Sequence, residues 1–141
     1  VALAGTGPPC RLRIVDPDDA AGVNAFARAD CIVLPSYYRE GVPRSLLEAA
    51  AMGKPIITTD RPGCRDAVTD GVTGFLCAPR DPHDLADKME KMIQLKPEER
   101  IRMGKRGREK MENEFDEKIV LGAYMNVIKA VVRDPRKGNA P

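Results

Sequence analysis

Tryptophan is absent from this chain, and aromatic residues make up only 4% of its 141 positions. So thin an aromatic content argues against a base-stacking platform, and with it against nucleic acid as a partner. No run of eighteen apolar residues occurs, so no segment reads as a membrane span. There is one His, and the four cysteines, Cys10, Cys31, Cys64 and Cys77, stand far apart with no CxxC pair. That spacing argues against a zinc site. Cys31 and Cys77 lie in apolar runs and read as small core residues. Unpaired cysteines suit a reducing compartment, so a cytoplasmic location is expected. The chain has no initiator Met and opens inside an apolar run; the expectation is a piece of a longer protein, incomplete at its N-terminus.

What is present suffices for a core. The hydrophobic fraction is 43% and the length fits one domain. Charge is nearly balanced at +2 but unevenly spread, with 11 Lys/Arg against 13 Asp/Glu in residues 1–95 and 12 against 8 in residues 96–141. The basic cluster Lys105, Arg106, Arg108 and Lys110 could face a membrane, but Glu98, Glu99 and Glu109 dilute it. A solvated helical face is the simpler reading.

Strand-like and helix-like segments alternate. Val1–Ala4 and Leu12–Val15 read as strands separated by Gly5-Thr6-Gly7-Pro8-Pro9. Two parallel strands need a crossover of a dozen or more residues. The pair is therefore either an antiparallel hairpin or has lost a segment near Pro9 and Cys10, and the missing segment is the expectation. Residues 18–30 read as a helix capped by Asp18 or Asp19. Cys31–Pro35 is continuously apolar, as in a strand buried on both faces of a parallel sheet. A helix follows over residues 43–52, stopped by Gly53 with Pro55 beyond it. Then come a strand at 55–59, a short helix at 65–68 and a strand at 74–77. A helix capped by Asp81 has Pro82 as its first residue and leaves His83 as an exposed first-turn side chain. The next helix, 96–115, has a thin stripe of Ile101, Met103 and Met111. The last, capped by Asp116, spaces Ile119, Val120, Tyr124, Ile128, Val131 and Val132 for one apolar face. The fold class is α/β: a Rossmann-like three-layer domain over residues 1–133 with a mainly parallel sheet and C-terminal helices, then a tail at 134–141.

The informative stretch leaves the carboxyl end of the 31–35 strand, where such folds bind ligands. Pro43 suits a first helical position, but Val42 before it is a poor cap. The free N–H groups near Arg44 and Ser45 therefore lack an obvious side-chain acceptor, although Ser36 or Glu40 could fold back. A phosphate would satisfy them and meet the positive helix end. Gly41 allows close approach. Glu48 lies on the order of 7 Å along the axis from the helix start, a reach comparable with that from distal phosphate to ribose in a nucleoside diphosphate. Its carboxylate could accept from both hydroxyls of a diol. Glu40, across the turn, could face a sugar. Two glutamates eight positions apart also arise by chance as solvated charges.

The surrounding residues sharpen this. Ala29-Asp30, Leu34-Pro35-Ser36, Glu40-Gly41-Val42-Pro43 and Leu47-Glu48-Ala49-Ala50-Ala51-Met52-Gly53-Lys54-Pro55-Ile56-Ile57 resemble the donor-binding domain of GT-B glycosyltransferases. More narrowly they resemble family 4 (group 1) retaining enzymes, whose signature is Glu, seven residues, Glu. Asp70-Gly71-Val72-Thr73-Gly74-Phe75-Leu76 and the helix from Asp81 to Ile93 fit the same pattern. The resemblance implies Glu40 as the catalytic residue at the donor sugar. It places Gly41, Val42, Pro43 and Arg44 at the diphosphate and Glu48 at the ribose, with Ser36 supporting the loop. It implies a nucleotide-diphosphate sugar as donor substrate, no cofactor and no metal.

It also implies a separate N-terminal acceptor domain as partner, onto which the last helix packs, and peripheral contact of the parent with the inner membrane face. The family's diphosphate-binding Arg and Lys lie upstream of this chain, and the 141 residues alone are expected to be inactive. The rival readings are a non-catalytic nucleotide-binding module and another GT-B enzyme such as a nucleotide-sugar epimerase. A phosphorylase would need a lysine-bound pyridoxal phosphate, and no lysine here is marked for one.

Overall fold

The computed structural model describes residues 2–4, 11–14, 20–39 and 41–133. Its elements are β1 (Ala2–Ala4), β2 (Arg11–Arg13), α1 (Ala20–Arg28), β3 (Cys31–Leu34), α2 (Arg44–Ala51), β4 (Ile56–Thr59), α3 (Cys64–Ala67), β5 (Gly74–Cys77), α4 (Pro82–Gln94), α5 (Pro97–Glu114) and α6 (Glu117–Arg133). Strand order in the sheet is β2-β1-β3-β4-β5. β3, β4 and β5 are parallel, with Ile32 opposite Ile56, and Ile56 opposite Gly74.

The N-terminal strands depart from the parallel expectation. β1 runs antiparallel to both β2 and β3. The physical reason is the connection: the few residues between β1 and β2 cannot carry a crossover, whereas a hairpin needs only a short turn. The turn itself, the helix caps Asp18 and Asp19, and the 134–141 tail lie outside the described residues.

The continuous apolarity of β3 and β4 has the expected cause. Cys31, Ile32, Val33 and all four residues of β4 are buried, because helices cover both faces. On one face Phe26 and Ala29 of the α1 region, Leu46, Ala49 and Ala50 of α2, and Cys64 and Ala67 of α3 pack around Ile32 and Ile56. On the other, Met92 of α4 and Met103 of α5 pack on Cys31, Val33, Ile57 and Phe75. Gly74 is required where β5 meets β4, since a Cβ there would fall 2.0 Å from the Ile56 carbonyl oxygen.

Caps behave as their chemistry dictates. Asp81 Oδ1 accepts from the amides of His83 and Asp84 at 3.0 and 3.1 Å, and Lys118 N donates to Asp116 Oδ1 at 2.8 Å. Gly53 ends α2 with φ 69°, and Gly53 N and Lys54 N return to the carbonyls of Ala50 and Ala49.

The stripe read for α5 needs correction. Ile101 is exposed, while Arg100, Met103, Gly104, Gly107 and Met111 are buried. Arg100 turns inward because its guanidinium donates to the carbonyls of Met92, Ile93 and Leu95 at the end of α4. The glycines let α5 lie against α2. Ile119, Val120, Tyr124, Ile128, Val131 and Val132 of α6 are all 48–73% exposed, so its apolar face is uncovered. Among the described residues no helix is long and apolar enough to cross a membrane.

Candidate functional site

The carboxyl ends of β3, β4 and β5 lie side by side, and the loop from Pro35 to Pro43 leaves there for α2. Two threonines that end the apolar strand β4 hold the last residue of β3 and the start of this loop. Thr58 Oγ1 donates to Leu34 O at 2.8 Å, and Thr59 Oγ1 donates to Ser36 O. Both threonines are fully buried. Nothing in the local sequence pattern marks them as anchors beyond a Thr-Thr pair at the mouth of an otherwise apolar strand.

Gly41, Val42, Pro43 and Arg44 come together at the start of α2, with Glu48 one turn further on. Glu40 lies outside the described residues. Pro43 occupies the N-cap position, with φ −59° and ψ 129°, one place before the first helical position expected for it, and among the described residues no side chain caps the helix. No acidic residue stands in its first turn. Among the described residues, no first-turn carboxylate therefore offsets its positive end, equivalent to roughly half a charge. Gly41 opens onto free space, since a Cβ there would meet nothing within 4 Å. Arg44 adds a cation at the same place, and its Nε bonds Glu48 Oε1 at 2.7 Å. The arrangement attracts an anion at Pro43–Arg44 and keeps a carboxylate a turn away.

Between the ends of β3, β4 and β5 and the head of α4 lies a cleft of about 210 Å³ lined by Pro35, Tyr37, Thr59, Cys77, Arg80 and Leu85 among others. The Tyr37 and Tyr38 rings stack 4.4 Å apart, and their hydroxyls share a 3.0 Å hydrogen bond. That bond, with a smaller contribution from desolvation, pushes the Tyr38 hydroxyl above its ordinary pKa. The Arg80 guanidinium lies 4.7 Å from the centre of the Tyr37 ring. Burial, reinforced by the nearby Asp84 carboxylate, pushes the Cys77 thiol up. Among the described residues no three His, Cys, Asp or Glu side chains gather as a metal site. On α5, Arg108 and Lys110 are paired with Glu112 and Glu114, so half of the basic cluster is locally neutralised.

A parallel β3–β4–β5 sheet covered on both faces by helices, with an uncapped helix start at its carboxyl edge, defines a Rossmann-like three-layer domain. Residues 17–110 match the signature of the family described as Glycosyl transferases group 1, and the chain belongs to that family. A glycogen synthase of Mycobacterium tuberculosis is 37% identical over 110 residues, covering 78% of this chain and 26% of the relative. Sucrose-phosphate synthase from Thermosynechococcus elongatus superposes with a TM-score of 0.68 at 26% identity, over 77% of this chain and 27% of that one. Anabaena Alr3699/HepE in complex with UDP gives a TM-score of 0.68 at 22% identity, over 74% of this chain and 29% of that one. The fold is thus that of a GT-B glycosyltransferase domain, as the resemblance implied. The chain spans about a quarter of the length of the relatives it matches.

Proposed function

We propose that this chain is the donor-binding part of a glycosyltransferase that moves a sugar from a nucleotide-diphosphate sugar to an acceptor with retention. The observation that carries the reading is the start of α2. Among the described residues it is an uncapped positive helix end with an exposed cation, Arg44, and a carboxylate one turn on, Glu48. The diphosphate sits against the amides after Pro43, where Gly41 leaves room. The ribose hydroxyls donate to Glu48, and Glu40 faces the donor sugar. Ser36, held through its carbonyl by Thr59, supports the loop. The relatives' names and the UDP held by the same fold in the Anabaena protein support this assignment.

The remaining groups are supplied by the rest of the parent. A separate N-terminal domain binds the acceptor and closes over the carboxyl edge of the sheet, and upstream Arg and Lys complete the diphosphate site. The uncovered apolar face of α6 packs on that domain. Burying it there removes apolar area from water at about 25 cal/mol per Å². The leaving diphosphate assists deprotonation of the acceptor, and its charge is met by the α2 start and the upstream Arg and Lys in place of a protein-held metal. The parent works in the cytoplasm, with peripheral contact at the inner membrane face.

The test is an activity screen of the full-length parent against a panel of nucleotide sugars, with the anomeric configuration of the product read by NMR. Transfer with retention is expected from the parent and no efficient transfer from the 141-residue chain. An inverted product, or efficient transfer by the 141 residues alone, contradicts the proposal.

A further inference from the structure

The loop between β3 and α2 is held at two successive residues. The Ser36 carbonyl is held by Thr59. Tyr37 meets a residue from the far side of the cleft, Arg80, which alone among the described non-glycine residues has a positive φ, 61°. In that region the Cβ of an L-residue crowds the backbone, and Gly or Asn is the ordinary occupant. An Arg there keeps a side chain at a position where a bare backbone would sit more easily. That side chain lies over the Tyr37 ring at 4.7 Å, and Tyr37 in turn stacks on Tyr38 at 4.4 Å.

The post from which Arg80 reaches is firm. Asp81, the next residue, caps α4 through the amides of His83 and Asp84. Asp84 Oδ2 accepts from Ala78 N at 2.6 Å and so ties the head of α4 back to the end of β5.

The geometry points to Arg80 as a positioning residue for the donor loop. Its left-handed backbone turns the guanidinium onto Tyr37 and pins the segment leading to Gly41, Val42 and Pro43 to the head of α4. Residue 80 touches no donor in this account; it acts through Tyr37. The inference rests on the donor reading above, because a pinned loop matters for function only if that loop meets the diphosphate. An exposed cation–π contact of this kind is worth a small factor in loop population, about two- to fivefold.

The experiment uses the 141-residue chain with Arg80→Gly, Tyr37→Phe and Tyr37→Ala. Backbone order of residues 37–39, 41 and 42 is read by ¹⁵N relaxation, melting temperature by calorimetry, and affinity by titration with UDP and GDP. Arg80→Gly relieves the crowded backbone, so it is expected to melt no lower than the parent chain. It nevertheless loosens the loop and weakens nucleotide binding about two- to fivefold. Tyr37→Phe keeps the ring and preserves both readouts, and Tyr37→Ala reproduces Arg80→Gly. Unchanged loop order in Arg80→Gly overturns the proposal, as does a lower melting temperature with unchanged affinity. If Tyr37→Ala does not fold, Arg80→Gly decides alone. Failure of both the unsubstituted chain and the full-length parent to bind either nucleotide counts against the donor reading, and loop order then judges the pin by itself.

Discussion

Arg44 Nε and Glu48 Oε1 are 2.7 Å apart, one turn along α2, with side-chain exposures of 87% and 33%. The carboxylate proposed for the ribose is thus already turned toward the helix start by a cation from the same helix. The pair is a solvent-screened i,i+4 contact worth about 0.3–0.5 kcal/mol, weak enough for a diol and a diphosphate to take both partners over. Arg44→Ala is therefore expected to lower the melting temperature by no more than about 2 °C. A thermal melt checks this, and a larger drop would make Arg44 a structural residue rather than a ligand-facing one.

The approach of α5 to α2 sets a sharper test of the fold that supports the site. A Cβ on Gly104 would lie 1.8 Å from the Gly53 carbonyl oxygen, whereas one on Gly107 would make ordinary contacts starting at 3.8 Å. Gly104→Ala must push α5 off α2 and is expected to cost about 1–3 kcal/mol. Gly107→Ala gains helix propensity of up to about 1 kcal/mol and is expected to be neutral or stabilising. Urea denaturation separates the two; equal effects would mean that the helices do not meet backbone to backbone at Gly104.

Cys77 links the cleft to pH. Burial first, and the Asp84 carboxylate second, hold its thiol proton more tightly in the folded chain. A pKa raised by folding contributes stability that is complete below the unfolded value, about 8.5. That contribution is lost as pH rises through the folded value. The stability difference between the parent chain and Cys77→Ala should therefore shrink as pH rises above about 9. Urea titrations between pH 8 and 10 read it, and a constant difference would place Cys77 in a more solvated setting.

Much of the fold was legible because local chemistry and tertiary structure agree. Pro43 and Gly53 bracket α2, Asp81 and Pro82 start α4, and the apolar runs of β3 and β4 are buried on both faces. What was not legible depends on neighbours distant in sequence. Gly104 and Gly107 look like weak points in a helix until Gly53 and Ala50 are placed against them. Arg100 reads as surface charge until the carbonyls ending α4 are seen to need a donor. Ile101 is apolar yet faces solvent, because the packing stripe follows the glycines. At the head of α2, the one-turn separation of Arg44 and Glu48 follows from helix spacing, whereas the cap position falls on Pro43 rather than on Val42. The anchoring by Thr58 and Thr59 and the reach of Arg80 across the cleft needed the sheet, since they join residues more than twenty positions apart in sequence.

Titration calorimetry of the 141-residue chain with UDP and GDP, beside Glu48→Ala, tests whether the head of α2 holds a nucleoside diphosphate with its ribose on Glu48. Loss of a charged acceptor for the two ribose hydroxyls is expected to weaken binding of the preferred nucleotide about tenfold or more, with the melting temperature almost unchanged. Affinity that is the same in the two proteins would contradict the account.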